Sequence, residues 1–378
     1  MSIDTLNILE SGRELRRILV LGIGGAGCSV VARIAPRAPE GMEFAVMDCD
    51  FQTLETCAHI ENRLDASKGV TDGLSAGGDM ETGRRCAEKA GKPIDALLSG
   101  VDLLLVVVGL GGGFGGGAAP VVARVARNAG AQTLFFTLFP FKFEGGVVRG
   151  KAHNSLRRLR TYADAIIQMP NSRIQLDGDA LLEDSMERAG RTLAAGVVGL
   201  WRLLTQTASV CNLDFSTLHT LLRHCDATCR FSCAVATGDD RAAELVEMLR
   251  SHPLAEDGAV FENAPGMIVG ITGGEDLRLS EVQQIVDGVS PENEECWIKM
   301  GVATDPAFTG RLAAIVLAAE SWKEPLVEDT LGAISGQSEL TGVLKSRSRA
   351  FGGAERTIWN GEDLDIPTYL RRKIKLPR

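Results

Sequence analysis

Short, continuous apolar runs alternate with segments of helical periodicity along the first half of the chain. Five runs have the length and composition of buried strands: 17–23, 43–47, 102–108, 133–138 and 165–169. The segments at 29–34 and 118–127 have helical character. Strands that alternate with helices at these spacings predict an α/β fold with a Rossmann-like, doubly wound and mostly parallel sheet, whose ligands bind beyond the carboxyl ends of the strands.

The pattern changes in the second half of the chain. Residues 184–206 contain few helix breakers and predict one long central helix, whereas the apolar runs at 266–272 and 311–318 belong to a region of shorter elements. Residues 323–358 are rich in Gly, Ser, Glu and Lys with little periodicity, which is typical of a disordered linker. We therefore predict an N-terminal domain (1–183), the central helix (184–206), a smaller α/β domain (207–322), the linker (323–358) and a C-terminal peptide (359–378).

Composition narrows the classes of function. The chain has 378 residues, 45% of them hydrophobic, which suffices for a sizeable core. Its net charge of -9 argues against a general nucleic-acid binder, which needs a basic surface. No apolar run approaches the roughly 20 residues of a membrane span. The nine cysteines form no CxxC pair and follow no signal peptide, so we expect a cytoplasmic protein with reduced thiols.

The cysteines at 225, 229 and 233 are spaced by four. On a helix they would share one face and, with His224, could bind a metal ion. On a strand, Cys229, Phe231 and Cys233 would instead alternate with polar positions and pack into the core, where free cysteine is commonly found. We favour the strand and assign no metal.

Two glycine-rich segments follow predicted strands. Gly22, Gly24 and Gly27 fit the pattern GxGxxG, and Asp48 lies about 20 residues further on, at the end of the next strand. Alone, this pattern indicates a dinucleotide-binding oxidoreductase. A second, denser segment, GLGGGFGGGAAP at 109–120, opens onto a helix whose first N–H groups could hold phosphate. Two such loops around one nucleotide fit a polyphosphate better than a nicotinamide.

Several motifs together resemble the FtsZ branch of the tubulin superfamily. The segment GLGGGFGGGAAP is similar to that family's GGGTGTG loop and the AAPV helix after it. Further similar motifs follow in order: GLSAGGDMETGR (73–84), PFKFEG (140–145), MPN (169–171), NLDF (212–215), ITGGEDLRL (271–279) and DIPTYLRR (365–372). The resemblance implies that residues 1–183 form a GTPase-type domain, that GTP or GDP with Mg²⁺ binds between the glycine loops, and that subunits stack head to tail into filaments for bacterial cell division or membrane remodelling.

The resemblance also implies roles for individual residues. In the family, an acidic loop of one subunit completes the hydrolytic site of the next, and its positions here are Asn212 and Asp214. The residues implied to bind the nucleotide are Gly24, Gly25, Ala26, Gly27, Asp48, Gly77, Gly111, Gly112, Gly113, Phe114, Gly115, Gly116, Gly117, Glu144, Asn171 and Arg191.

The C-terminal peptide resembles the family segment that docks onto membrane-tethering adaptors. The residues implied to bind such an adaptor are Asp365, Ile366, Pro367, Tyr369, Leu370 and Arg371. Basic residues close to the end of the chain would add a weak attraction to anionic lipid. We therefore expect recruitment to the inner face of the cell membrane, with indirect or weak membrane contact.

Two departures from the family pattern concern hydrolysis. Phe114 and Gly116 replace the two threonines of the family loop, and with them two hydroxyl donors for phosphate. Thr217 stands where the family has the second carboxylate of its acidic loop, and loss of a positioned general base typically costs about 10²- to 10⁴-fold in rate.

Two further departures concern the base and the loop after PFKFEG. Arg191 takes the position of the aspartate that accepts the N–H groups of guanine, although Arg has no acceptor. Met186 and Cys28 replace a stacking phenylalanine and an asparagine. Val148 takes the place of a basic residue, unless Arg149 shifts by one position.

Each change has a structural alternative, because a phenylalanine can turn into the core and an arginine can point to solvent. Four changes at one pocket favour a remodelled site. We therefore expect an FtsZ-like cytoskeletal protein with doubtful GTP binding and slow or absent hydrolysis, and co-assembly with a conventional FtsZ stays open. The alternatives are a conventional polymerising GTPase and an NAD-dependent oxidoreductase, for which no hydride-transfer residue is evident.

Overall fold

The computed structural model describes residues 17–170, 182–205, 209–211, 213, 217–218, 220–221, 229–291, 296–321, 358–359 and 362–363, with the backbone alone for 170, 182–189, 209–211, 358–359 and 362–363. The chain divides into two compact units, Met1–Glu324 and Pro325–Arg378. Apart from one short hairpin, the predicted linker and C-terminal peptide lie outside the described residues. The predictions for Asn171, Asn212 and Asp214 also lie outside them.

The N-terminal half alternates strands with helices, as the sequence predicts. The strands are β1 (Ile18–Ile23), β2 (Glu43–Asp48), β3 (Asn62–Asp65), β4 (Leu103–Gly109), β5 (Gln132–Phe139) and β6 (Ala165–Pro170). The helices are α1 (Gly24–Ile34), α2 (Phe51–Thr56), α3 (Met80–Lys89), α4 (Gly91–Leu98), α5 (Gly113–Ala129) and α6 (Gly146–Leu159). The strands pair in parallel in the order β3-β2-β1-β4-β5-β6, which confirms the doubly wound parallel sheet.

The predicted start of the helix after the second glycine segment is wrong. Helix α5 begins at Gly113 rather than at residue 118, although glycine disfavours helices. Packing against α3 overrides that preference. A Cβ on Gly117 would lie 2.2 Å from the carbonyl oxygen of Met80, and a Cβ on Gly83 would lie 2.3 Å from that of Gly113. The two backbones are therefore in direct contact, and glycine is the one residue that permits it.

The proline of the AAP motif lies inside α5. Pro120 has no N–H, so the carbonyl of Gly116, four residues earlier, lacks its usual helical donor. The hydroxyl of Ser155, from α6, donates to this carbonyl oxygen at 2.6 Å, and the contact is buried. This bond satisfies the carbonyl and fixes α6 against the helix of the second glycine segment.

The second half forms the long helix and the smaller α/β region that the sequence predicts. Its elements are α7 (Leu182–Thr205), β7 (Ser209–Cys211), β8 (Cys229–Thr237), α8 (Arg241–Arg250), α9 (Ala259–Glu262), β9 (Gly266–Gly273), α10 (Leu279–Val289), β10 (Trp297–Thr304) and β11 (Arg311–Ala319). Strand β11 is antiparallel to β8 and β9, and β9 is parallel to β10. One residue pair, Ile167 with Cys229, links β8 to β6 and so joins both sets of strands into one sheet.

Helix α7 packs closely on the second set of strands. The ring of Phe231 lies against Gly196, where an added Cβ would be 2.6 Å from it, and Leu203 lies against Gly270 of β9.

The strand alternative for the cysteines is confirmed, because Cys229 is buried and Cys233 half-buried on β8. Within the described residues, no helix is long and apolar enough to cross a membrane. The second unit contributes a hairpin of β12 (Ile358–Trp359) and β13 (Glu362–Asp363).

Candidate functional site

A cleft of about 830 Å³ opens at the carboxyl ends of β1, β2, β4 and β5, the edge at which the sequence predicts a ligand. Three continuous segments contribute to its wall: residues 24–26 from the start of α1, residues 75–78 from the loop before α3, and residues 112–115 at the start of α5. The two glycine segments of the sequence therefore meet at one cavity, as expected of loops around one nucleotide.

Among the residues that the structure describes, nothing accounts for the missing side chain at two glycines of this wall. Gly112 has ordinary extended backbone angles, and a Cβ on it would meet nothing within 4 Å. A Cβ on Gly25 would meet only Thr53 Oγ1, at 3.9 Å. Both residues are exposed to the cleft. A ligand that approaches the backbone closely would explain glycine at both positions.

Other glycines of the two segments serve the fold. A Cβ on Gly27 would lie 2.2 Å from the carbonyl oxygen of Val107, and one on Gly115 would lie 2.6 Å from that of Gly109. Gly111 adopts a positive φ of 110°. The many glycines at 109–117 thus have two explanations. Some pack closely against neighbouring backbone on the side of the wall away from the cleft, and others face the open cleft. Four of the predicted ligand residues lie behind the wall: Gly27, Gly111, Gly116 and Gly117.

Phe114 belongs to the core. The residue is 5% exposed and lies in the same cluster of buried side chains as Ala76, Val108 and Ala119, with a small part bordering the cleft. The structural alternative of the sequence analysis therefore applies at this position. Among the described residues, no side chain caps the amino end of α5, whose N-cap is Gly112. The first N–H groups of this 17-residue helix are directed at the cleft.

Two carboxylates border the cleft at the end of β2. Asp48 is 3% exposed, and its Oδ1 accepts hydrogen bonds from the backbone N–H of Cys49 at 2.7 Å and of Asp50 at 3.1 Å. Burial raises the pKa of the Asp48 carboxyl, although these hydrogen bonds oppose the shift. Asp50 caps α2 by accepting from the N–H of Gln52 at 2.9 Å. Both carboxylates stabilise the turn that shapes this wall.

The PFKFEG segment borders the cleft through Glu144. Its Oε1 accepts from the N–H of Phe141 at 2.6 Å and closes the short 3-10 turn Lys142–Glu144. Val148 contacts Gly111, where an added Cβ would lie 2.9 Å from its side chain. An apolar residue therefore packs where the family has a basic one. Arg149 is exposed on α6 and does not border the cleft.

Cys28, which replaces the family's asparagine, is turned away from the ligand space. Its Sγ lies 3.5 Å from the carbonyl oxygen of Met47 and 3.6 Å from that of Gly22. The hydrogen bond with the Cys57 thiol, followed by burial, raises the pKa of Cys28 above its ordinary value. A neutral, buried thiol at this position packs the strand-to-helix turn and offers no group to a ligand.

The structure brings ten of the sixteen predicted nucleotide-binding residues together. Those that border the cleft are Gly24, Gly25, Ala26, Asp48, Gly77, Gly112, Gly113, Phe114, Gly115 and Glu144. Arg191 is exposed and does not border it, whereas its neighbour Gly190 does. Asn171, Asn212, Asp214 and the adaptor-binding positions of the tail lie outside the described residues.

Sequence reasoning missed several residues that border the cleft: Ser29, Arg33, Thr53, Ser75 and Gly78. Ser29 and Arg33 are four residues apart on α1 and so share one face of the helix. The spacing of these polar positions directly after the first glycine segment was a usable signal. For Ser75 and Thr53 the sequence contains no comparable pattern.

Two family models match the chain: the Tubulin/FtsZ family, GTPase domain, over residues 17–177, and the FtsZ family, C-terminal domain, over residues 230–321. Together they span both halves of the described fold. The first match includes all three segments of the cleft wall.

Solved structures show the same fold. A tryptophan-to-tyrosine mutant of FtsZ from M. jannaschii is 26% identical, with 85% of this chain and 98% of that chain covered and a TM-score of 0.74. An empty FtsZ dimer from M. jannaschii is 24% identical, with 90% and 100% covered and a TM-score of 0.74. A GTPγS-bound protofilament of CetZ2 from Haloferax volcanii is 19% identical, with 82% and 94% covered and a TM-score of 0.65.

Proposed function

This chain belongs to the tubulin/FtsZ superfamily, and on that premise we propose that it is a cytoskeletal protein that forms head-to-tail filaments, binds GTP or GDP in its cleft and hydrolyses GTP slowly. The observation that carries the proposal is the pair of open glycines, Gly25 and Gly112. Both face the cleft, and both lack a side chain where the fold would allow one.

The cleft fits the phosphate end of such a nucleotide. The amino end of α5 and the backbone at Gly25 provide N–H donors, which suit an anion. Asp50 borders the same space, and carboxylate oxygens are the ligands that Mg²⁺ prefers, so this residue would hold the ion that neutralises the phosphates. The base end is less defined, because Arg191 does not border the cleft and would offer guanine no acceptor.

Slow hydrolysis follows from the residue at position 217. Thr217 is half-buried and takes the place of a family carboxylate, and a hydroxyl is a poor acceptor for the proton of the attacking water. Self-association is supported by the relatives, described as a dimer and as a protofilament. Adaptor binding through residues 365–371, recruitment to the membrane, co-assembly with a conventional FtsZ and a role in cell division belong to the same proposal.

A conventional GTPase is the second candidate, and the position of Phe114 favours it. Because the ring is in the core, it leaves the space above α5 open to phosphate. Restoring the family carboxylate with Thr217→Asp separates the two candidates, and Phe114 is left unchanged because its ring packs in the core. A large gain in GTP hydrolysis supports the remodelled site, whereas no gain supports the conventional enzyme. The match to the GTPase-domain model argues against the oxidoreductase alternative.

The proposal is tested by adding one methyl group to a glycine of the cleft wall. Gly112→Ala should weaken GTP binding at least about 10-fold, measured by equilibrium dialysis, because the methyl group projects into the phosphate space. Gly116→Ala is the matched control, since its Cβ would meet only the Met80 side chain, at 3.4–3.6 Å, behind the wall. Equal GTP affinity of wild type and Gly112→Ala would remove the basis of the proposal.

A further inference from the structure

The loop between β3 and α3 is fastened to the rest of the domain by two lysines. Lys89 Nζ donates to the carbonyl oxygen of Gly69 at 2.9 Å, and Lys151 Nζ donates to that of Gly78 at 2.6 Å. Both bonds join an ammonium group to a glycine with positive φ. Only one of these glycines, Gly78, borders the cleft. The two lysines therefore form a natural comparison, because one is bonded to a residue of the cleft wall and the other is not.

Gly78 lies directly beside the start of α5. A Cβ on Gly113 would be 2.8 Å from the backbone nitrogen of Asp79 and 3.0 Å from the carbonyl carbon of Gly78. The ammonium of Lys151 thus donates to a residue of the cleft wall that lies beside the amino end of α5, although Lys151 is not itself one of the residues that border the cleft. An ammonium group has three donors, and the bond to Gly78 uses one of them. Within the part of the chain that the structure describes, two donors are left for a ligand or for water.

The negative charges of the cleft wall would make a cation favourable beside the amino end of α5. Asp48, Asp50 and Glu144 border the cleft, and Arg33 brings a positive charge from α1. A triphosphate would add several negative charges to a wall that already carries carboxylates. The position at which the family has a basic residue holds Val148, which packs on Gly111. Lys151 is three residues further along α6 and therefore on the same face of that helix.

We propose that Lys151 binds the terminal phosphate of the nucleotide and replaces the basic residue lost at Val148, while its bond to Gly78 keeps the glycine turn against the cleft. The inference rests on the proposed function, because it needs a nucleotide in the cleft. Its ligand is the phosphorylated end of the molecule, not the base.

The experiment compares full-length wild type with Lys151→Met, Lys151→Arg and the matched control Lys89→Met, using GTP and guanosine as probes in equilibrium dialysis with Mg²⁺. Lys151→Met should weaken GTP binding by about 10-fold or more, the effect of losing a charge-assisted hydrogen bond. Its guanosine binding should stay that of wild type. Lys151→Arg, which keeps the charge, should bind GTP more tightly than Lys151→Met, and Lys89→Met should bind GTP as wild type does.

The contrary outcomes separate the two proposals. A wild type that binds neither probe overturns the proposed function and, with it, the role of Lys151. A wild type that binds GTP, together with a Lys151→Met variant of equal affinity, overturns the role of Lys151 alone. Equal weakening by Lys151→Met and Lys89→Met, or a parallel loss of guanosine binding, would mean that Lys151 acts on loop structure and not on phosphate.

Discussion

The buried hydroxyl of Ser155 compensates for a proline two helical turns inside the neighbouring element. Removing it with Ser155→Ala leaves the Gly116 carbonyl without a donor, which should lower the free energy of unfolding by about 1–3 kcal/mol, measured by urea denaturation. Pro120→Ala supplies the missing N–H within α5. In that background the same Ser155→Ala change should cost less, and an identical cost in both backgrounds would contradict the compensation.

A single buried carboxylate should make stability depend on pH. Because burial raises the pKa of Asp48 in the folded state, its contribution favours folding below the ordinary carboxyl pKa of about 4 and is lost as pH rises through the raised value. Asp48→Asn keeps an acceptor for the N–H groups of Cys49 and Asp50 without the charge. The variant should therefore unfold at a higher urea concentration than wild type at pH 7, with the difference shrinking toward pH 4.

A variant at the neighbouring carboxylate checks whether burial of Asp48 causes the pH dependence. Asp50→Asn alters a carboxylate two residues away that is not fully buried, and it should leave the slope of stability against pH closer to wild type. A wild-type stability curve that Asp48→Asn does not change between pH 4 and pH 7 would show that Asp48 stays charged at no cost.

Phe114 illustrates what a sequence can and cannot specify at the scale of one residue. The pattern around it correctly located a glycine-rich segment at the edge of the sheet. The direction of its ring depends on α3, because Gly83 of that helix lies against Phe114 Cα. No local sequence pattern predicts where α3 packs. The contact of Lys151 with Gly78 joins residues 73 positions apart, so the sequence could not predict it for the same reason.

At the scale of elements, the crossing of α3 and α5 decides where the glycines of the second segment are indispensable. Gly117→Ala places a methyl group 2.2 Å from the Met80 carbonyl oxygen and 2.5 Å from the Arg84 nitrogen, and backbone atoms cannot move aside. We expect a loss of about 3 kcal/mol or more in the free energy of unfolding, measured by urea denaturation.

Gly116→Ala, one residue earlier on the same helix, is the control for this prediction. Its methyl group would meet a flexible methionine side chain at 3.4–3.6 Å, and alanine is the better helix former, so stability should stay within about 1 kcal/mol of wild type. Similar losses for the two variants would mean that helix propensity, and not the crossing, governs this segment.

The strands could be predicted and the helix starts could not, for a physical reason. Strands β4 and β5 are buried, so continuous apolar runs mark them. The starts of α1 and α5 are glycines, which local propensity assigns to loops. Their helical conformation is imposed by the neighbouring strand and by α3. Because of these glycines, the sequence did not predict the two helix termini that contribute to the cleft wall.

At the scale of the whole molecule, the cleft joins segments distant in sequence at one edge of the sheet. Loops after β1, β2, β4 and β5, together with the loop before α3, contribute to one wall. The doubly wound topology guarantees that such loops meet, which is why the sequence alone located the site. The chemistry of the site depends on single side chains, such as Thr217, and on a neighbouring subunit under the proposed function.

The central claim is that this chain assembles with GTP while turning it over slowly. The most direct measurement is sedimentation of the full-length protein with and without GTP, with phosphate release followed in the same samples and M. jannaschii FtsZ assayed alongside. We predict that GTP moves the protein into the pellet as filaments visible by electron microscopy, while phosphate release per chain stays about 100-fold or more below that of the reference. Protein that stays in the supernatant with GTP, or phosphate release at the reference rate, would contradict the account.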